Sequence, residues 1–124
     1  MFFNNTYFFQ KGLMNIDFSK ELTIAKKAAL EAGNFLKINE NHLNKTLSST
    51  NRDIKLQADI EAEKIIKNSI KKYSNFGILA EESGMSSEES AKTLWVVDPL
   101  DGTANYSRNI PLCCVSIAVL SDSK

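Results

Sequence analysis

The sequence predicts an α+β domain, two helices packed on an antiparallel sheet, and three observations predict it. Two stretches with apolar residues at three- and four-residue spacing come first. Short apolar runs bounded by turn residues follow them, and no internal repeat or break in composition separates the two parts. At 124 residues the chain is one ordinary domain, or part of a larger one, and is long enough for a core.

Phe18 to Lys37 reads as the first helix, with Ser19 as its N-cap and Leu22, Ala25, Ala29, Ala32 and Leu36 as its apolar face. Asn39 to Asp53 is rich in turn formers and reads as a loop that holds a short hairpin closing over a site. Gln57 to Tyr73 reads as a second helix whose Ile66, Ile70 and Tyr73 face the core. Gly77-Ile78-Leu79-Ala80 is a short strand ending in Glu81-Glu82, and Gly84 to Lys92 is a polar surface excursion. Leu94 to Val97 reads as a buried strand that delivers Asp98 at its end. Pro99 then stops ladder pairing, because it has no N–H. Pro111 precedes the last strand, Leu112 to Leu120. Residues 1–13 are aromatic but broken by polar residues, and lack the basic region, apolar run and small-residue site of a signal peptide. They read as a disordered or loosely packed leader, with Met14 as an ordinary protein start and 14–124 as the domain.

Composition excludes several functions. Lys plus Arg and Asp plus Glu are each 15, so no field of one sign points to nucleic acid. Lys71-Lys72 is a solvated helix end, and no basic patch is interleaved with aromatics. No stretch approaches the length of a membrane span. Cys113 and Cys114 are neighbours that a strand sends to opposite faces. They read as buried reduced thiols of a reducing, cytoplasmic compartment rather than as a disulfide or metal pair. His42 sits in the polar connector, so histidine-based catalysis has little to work with.

The chemistry concentrates in residues 95–106, Trp-Val-Val-Asp-Pro-Leu-Asp-Gly-Thr-Ala-Asn-Tyr. Asp98 and Asp101 stand three residues apart on a stiff loop, with the Leu100 carbonyl between them and Gly102 allowing close approach. Hard divalent cations such as Mg²⁺ take such oxygen clusters, and the N–H groups of Gly102 and Thr103 suit a phosphate. Asp-Pro and Asp-Gly are also ordinary turn dipeptides, so a plain polar loop competes with this reading. If the strands at Ile78–Ala80 and Leu94–Val97 pair, Glu81 comes beside Asp98, while Glu82 points the other way. Asp59, in the first turn of the second helix, is by itself a capping acid favoured by the helix dipole.

The string from Trp95 to Tyr106 resembles the signature of the inositol monophosphatase family of Mg²⁺-dependent, lithium-sensitive phosphatases. Ala80-Glu81-Glu82-Ser83 is similar to that family's Gly-Glu-Glu-Ser metal motif, with Ala in place of Gly. Lys55-Leu56-Gln57-Ala58-Asp59 falls where the family carries Thr-x-x-Asp. The resemblance runs from about Phe18 to Leu120 and implies the N-terminal half of a layered αβαβα sugar-phosphatase fold. By resemblance, Glu81, Asp98 and the Leu100 carbonyl hold a first Mg²⁺, and Asp98 and Asp101 reach a second. Glu81 and Thr103 orient the attacking water, and Asp59 holds the Thr103 hydroxyl. Asp101, Gly102 and Thr103 meet the phosphate of a small-molecule monoester.

The sequence also departs from the family pattern. Ser48 stands where the family has a Lys shortly before the position of Asp53, with Lys45 and Arg52 the nearest replacements. The family's second half, with the Trp-Asp motif that completes the second metal site, has no counterpart here. The resemblance therefore implies a fragment that binds metal but turns over little substrate alone, and whose apolar edge at Val115–Leu120 self-associates. The alternatives are a non-catalytic metal- or partner-binding half-domain and a relative of the 3′-phosphoadenosine phosphatases. Ala104-Asn105-Tyr106 is closer to the inositol branch than to the nucleotide branch.

Overall fold

The computed structural model describes residues 17–43, 46–49, 54–86 and 92–121, with side chains for all but 46–49 and 54–55. The expected leader (1–13), Lys45, Arg52, Asp53 and the Ser48 side chain lie outside that description. In chain order the elements are α1 (Ser19–Ile38), α2 (Glu40–Leu43), β1 (Thr46–Ser49), β2 (Ile54–Leu56), α3 (Gln57–Lys71), β3 (Gly77–Ala80), β4 (Gly84–Met85), β5 (Thr93–Asp101), α4 (Thr103–Ser107) and β6 (Cys114–Ser121).

Helix α1 buries Ile24, Ala28, Ala32 and Leu36, a face rotated from the one the sequence predicts. Ala32 and Leu36 belong to both stripes, but Leu22, Ala25 and Ala29 sit at the margin, half-buried. Small residues line the contact with α3, whose Ala58 and Ala62 are also fully buried, so the two helices approach closely. Ser19 is not the N-cap. It is the first helical residue, and its N–H donates to Asp17 Oδ1 at 2.9 Å. Helix α3 ends at Lys71, which leaves Tyr73 beyond it and 49% exposed rather than in the core. The connector after α1 contains the expected hairpin, β1 with β2, and also the short helix α2, which carries His42 on the surface.

The main sheet has the order β4-β3-β5-β6. Its α+β layering is the one expected, with a mixed rather than wholly antiparallel sheet. Strand β5 pairs antiparallel with β6 and parallel with β3, from Gly77 opposite Leu94 to Ala80 opposite Val97. The chain leaves β3, turns through β4 and re-enters the sheet in its original direction, which a hairpin alone cannot do. The β5–β6 ladder is broken between Asp98 and Asp101, as the missing N–H of Pro99 requires. Pairing resumes at Asp101, opposite Cys114, so β5 extends past the proline.

Trp95, Val97 and Leu100 of β5, Ile78 of β3 and the inward side chains Val115, Ile117 and Val119 of β6 pack against α1 and α3. Trp95 is fully buried, and its indole N–H donates to Ser74 Oγ at 3.0 Å. The opposite face of the sheet carries Leu79 and Leu120, both exposed, and β6 is an outer strand. Cys113 and Cys114 form no disulfide, as expected, but they are half-buried rather than buried. Among the described residues no helix is long and apolar enough to cross a membrane.

Tyr106 fastens the two ends of this layer together. Its ring is fully buried, and its hydroxyl donates to the Leu36 carbonyl at 2.7 Å. That carbonyl lies in the last turn of α1, where intrahelical donors run out. Tyr106→Phe keeps the ring and strands a buried acceptor, so the expected loss is about 1–2 kcal/mol. Urea unfolding of the two proteins checks this, with the slope unchanged and the midpoint lowered.

Candidate active site

Parallel registry between β3 and β5 determines where the acids emerge. Ala80 and Val97 are partners, so Glu81 and Asp98 leave the sheet side by side at the same end. The Glu81 N–H donates to the Val97 carbonyl at 3.0 Å, which fixes the start of the turn against β5. The two carboxyls lie in hydrogen-bond contact. That bond, followed by burial and by the Asp98 charge, pushes the Glu81 carboxyl up to about 7. The Leu100 N–H donates to Asp98 Oδ1 at 3.1 Å, closing a tight turn over Pro99 and holding the aspartate in place.

Across the loop, Thr103 opens α4. Its Oγ1 lies 3.0 Å from Asp59 Oδ1 and 2.9 Å from the Leu100 carbonyl, so its one proton can serve either acceptor. The other oxygen of Asp59 accepts the Leu56 N–H at 2.7 Å. Asp59 is therefore a cap and a loop anchor at once. Its burial, 1% exposed, pushes its carboxyl up to about 6 despite these donors. When Asp59 carries a proton on Oδ1 it donates to Thr103, which then donates to Leu100, and the chain of bonds is complete.

Gly102 has φ +89°, a conformation natural to glycine. A Cβ there would stand 2.6 Å from the Leu112 carbonyl, so only glycine lets the segment before β6 close over the turn. Asn105 holds that same carbonyl, with its Nδ2 donating at 2.8 Å. The glycine and the asparagine of the motif thus act on one atom from two sides.

Glu81 and Asp98 stand at adjoining strand ends, and Thr103 joins the Leu100 carbonyl of the following turn to Asp59. Asp101 is placed differently. It faces β6, with Oδ2 3.9 Å from Cys114 Sγ. Among the described residues no three His, Cys, Asp or Glu side chains come close enough to hold a metal ion by themselves. The two that do meet still suit a hard cation, because Mg²⁺ uses one or two carboxylates and completes its shell with water and substrate oxygens. Glu82 is half-buried, and its N–H donates to Glu63 Oε2 at 2.9 Å. The sequence reading missed Glu63, although its i+4 spacing from Asp59 on α3 was the available signal.

The helices packed on one face of a mixed sheet are an α+β layer of the inositol monophosphatase fold. More narrowly, the chain belongs to the inositol monophosphatase family, whose model matches residues 17–124. The protein called Nus factor SuhB in Xylella fastidiosa is 38% identical over 109 residues, covering 83% of this chain and 38% of that protein. An inositol-1-monophosphatase of Synechocystis is 44% identical over 69 residues, covering 55% of this chain and 24% of that protein. The crystal structure of extragenic suppressor protein suhB from Bartonella henselae superposes with a TM-score of 0.76 at 37% identity, covering 86% of this chain and 42% of that one. The chain spans less than half the length of each of these relatives.

The two raised carboxyls make stability depend on pH. Asp59 and Glu81 hold their protons more tightly folded than unfolded, where their ordinary values are 3.8 and 4.5. Their contribution is complete at and below about pH 4 and is lost as pH rises through about 6 for Asp59 and about 7 for Glu81. For buried Asp59 the loss is on the order of 3 kcal/mol. In divalent-free buffer the thermal midpoint should fall between pH 5 and pH 8, and Asp59→Asn should flatten that fall. A midpoint that rises over this range in the parent protein contradicts the assignment.

Proposed function

We propose that this chain is the metal-binding N-terminal portion of a Mg²⁺-dependent phosphatase. Its substrate would be a small phosphate monoester, inositol monophosphate or a related sugar or polyol phosphate. The observation that carries the reading is the parallel register that brings Glu81 and Asp98 out of neighbouring strands at the same end of the sheet. Two acids held this close need a proton or a cation between them, and near neutral pH a cation is the better match.

Mg²⁺ bound there supplies a positive charge that balances the acids and makes water a better nucleophile. The chain's own residues do the rest. Glu81 and Thr103 accept the hydrogen bonds of the attacking water and orient it toward phosphorus. Asp59 holds Thr103 in the rotamer this needs. The N–H groups of Gly102 and Thr103 meet the phosphate oxygens as charge builds on them. Asp101 would serve the phosphate side and a second cation. Family membership and the Synechocystis relative, whose name is that of an inositol phosphatase, support this substrate class.

A second reading, a metal- or partner-binding half-domain without turnover, draws on two facts. The Asp101 carboxyl meets Cys114 on β6, and the Xylella relative bears the name of a Nus factor rather than of an enzyme. In either reading the outer strand β6, with Leu120 59% exposed, is the surface through which copies of the chain would associate. The unbridged cysteines favour a cytoplasmic setting.

Titration calorimetry with Mg²⁺ or Mn²⁺ tests the metal site. The parent chain should show saturable binding, and Asp98→Asn should weaken it by more than about tenfold. Equal heats from the two proteins would sink the assignment. Phosphate release from inositol monophosphate then separates the readings, since turnover that vanishes in Asp101→Asn belongs only to the first.

A further inference from the structure

We infer that Glu63 is a positioning residue for the Glu81–Asp98 pair, aiming Glu81 through the backbone of Glu82. The inference rests on the reading that this pair holds a cation. Glu63 lies on α3 and is 4% exposed, with Lys67 one turn further along the same helix. A buried carboxylate persists when donors match it. Among the described residues its closest donor is the Glu82 N–H, 2.9 Å from Oε2. The Lys67 ammonium is farther, 3.7 Å from Oε1, and itself donates to Ser83 Oγ at 2.8 Å.

Consecutive peptide groups are therefore held by different layers. The N–H of Glu81 is bonded to β5, and the N–H of Glu82 is bonded to α3. The Glu81 Cα lies between these two fixed planes, so its φ and ψ, and with them the direction of its Cα–Cβ bond, have little freedom. That direction brings the Glu81 carboxyl onto Asp98. Without the Glu63 acceptor, one side of the clamp opens while the β3–β5 pairing remains. Ligands held this way by outer groups typically lose 10- to 100-fold in metal affinity when the support is removed.

The test compares Glu63→Ala with Glu63→Gln by Mn²⁺ calorimetry and by the electron paramagnetic resonance spectrum of bound Mn²⁺. Gln keeps an oxygen that can accept the Glu82 N–H, whereas Ala does not. Glu63→Ala should weaken Mn²⁺ binding by about tenfold or more and broaden the bound spectrum, with the far-ultraviolet dichroism unchanged. Glu63→Gln should bind like the parent protein. Parent-like affinity in Glu63→Ala overturns the inference. So does a Gln variant that falls as far as Ala, because charge rather than the amide bond would then be at work. If Glu63→Ala does not fold, the Gln variant and hydrogen exchange decide. The Glu82 amide of the parent should be protected, and rapid exchange there overturns the proposal. A parent chain that takes up no Mn²⁺ overturns the functional reading, and Glu63's role with it. Uptake that is lost in Asp98→Asn but kept in Glu63→Ala overturns the role of Glu63 alone.

Discussion

The Asp59 carboxylate accepts the Leu56 N–H with one oxygen and faces the Thr103 hydroxyl with the other. Nearly everything at the site hangs on these contacts. The first closes the start of α3 and fixes the end of the hairpin strand β2. The second reaches across 44 positions of sequence to the turn that follows β5. Because the group is buried, losing either donor would leave oxygen without a partner in a poorly solvating place, so hairpin, helix and turn are held as a unit.

One helical turn further along, Glu63 performs a parallel task on the other arm of the site. Asp59 anchors the turn after β5, and Glu63 anchors the turn after β3. Both belong to the buried face of α3, whose other members are alanines, isoleucines and Ser69. A helix is stiff over this length, so the distance between the two turns is set by the rise of α3 rather than by the turns themselves. Functional groups carried on loops become accurate when a regular element dictates their separation.

Local pattern was enough to locate the strands at Gly77–Ala80 and Leu94–Val97, because apolar runs ending in acids leave little choice. It also located α3. Where it fell short, the deciding information was not local. Alanine-rich α1 offers two overlapping stripes, and only the position of α3 selects Ile24 and Ala28 over Leu22 and Ala25. Whether β3 and β5 run parallel depends on the path of the chain between them, which composition does not encode. Asp101 is aimed by its pairing with β6, and a lone Glu63 in a helix reads as solvated until the turn that covers it is seen. The Asp-Pro-Leu-Asp-Gly-Thr string was legible because nearly every residue in it is committed by backbone geometry.

The parallel pairing of β3 with β5 has an evolutionary corollary. Glu81 is fixed before the chain departs on its excursion through β4, and Asp98 is fixed after it returns. Neither position is measured along the intervening chain, since both are measured across the sheet. That stretch can gain or lose residues between lineages without altering the spacing of the acids, and it is free to acquire surfaces for other purposes. The span from Asp98 to Tyr106 has no such slack. There Asp98 closes the turn over Pro99, Gly102 admits the segment before β6 and Thr103 reaches Asp59, and one insertion would separate Thr103 from Asp59. Descendants of this fold should diversify at the first place and stay uniform at the second.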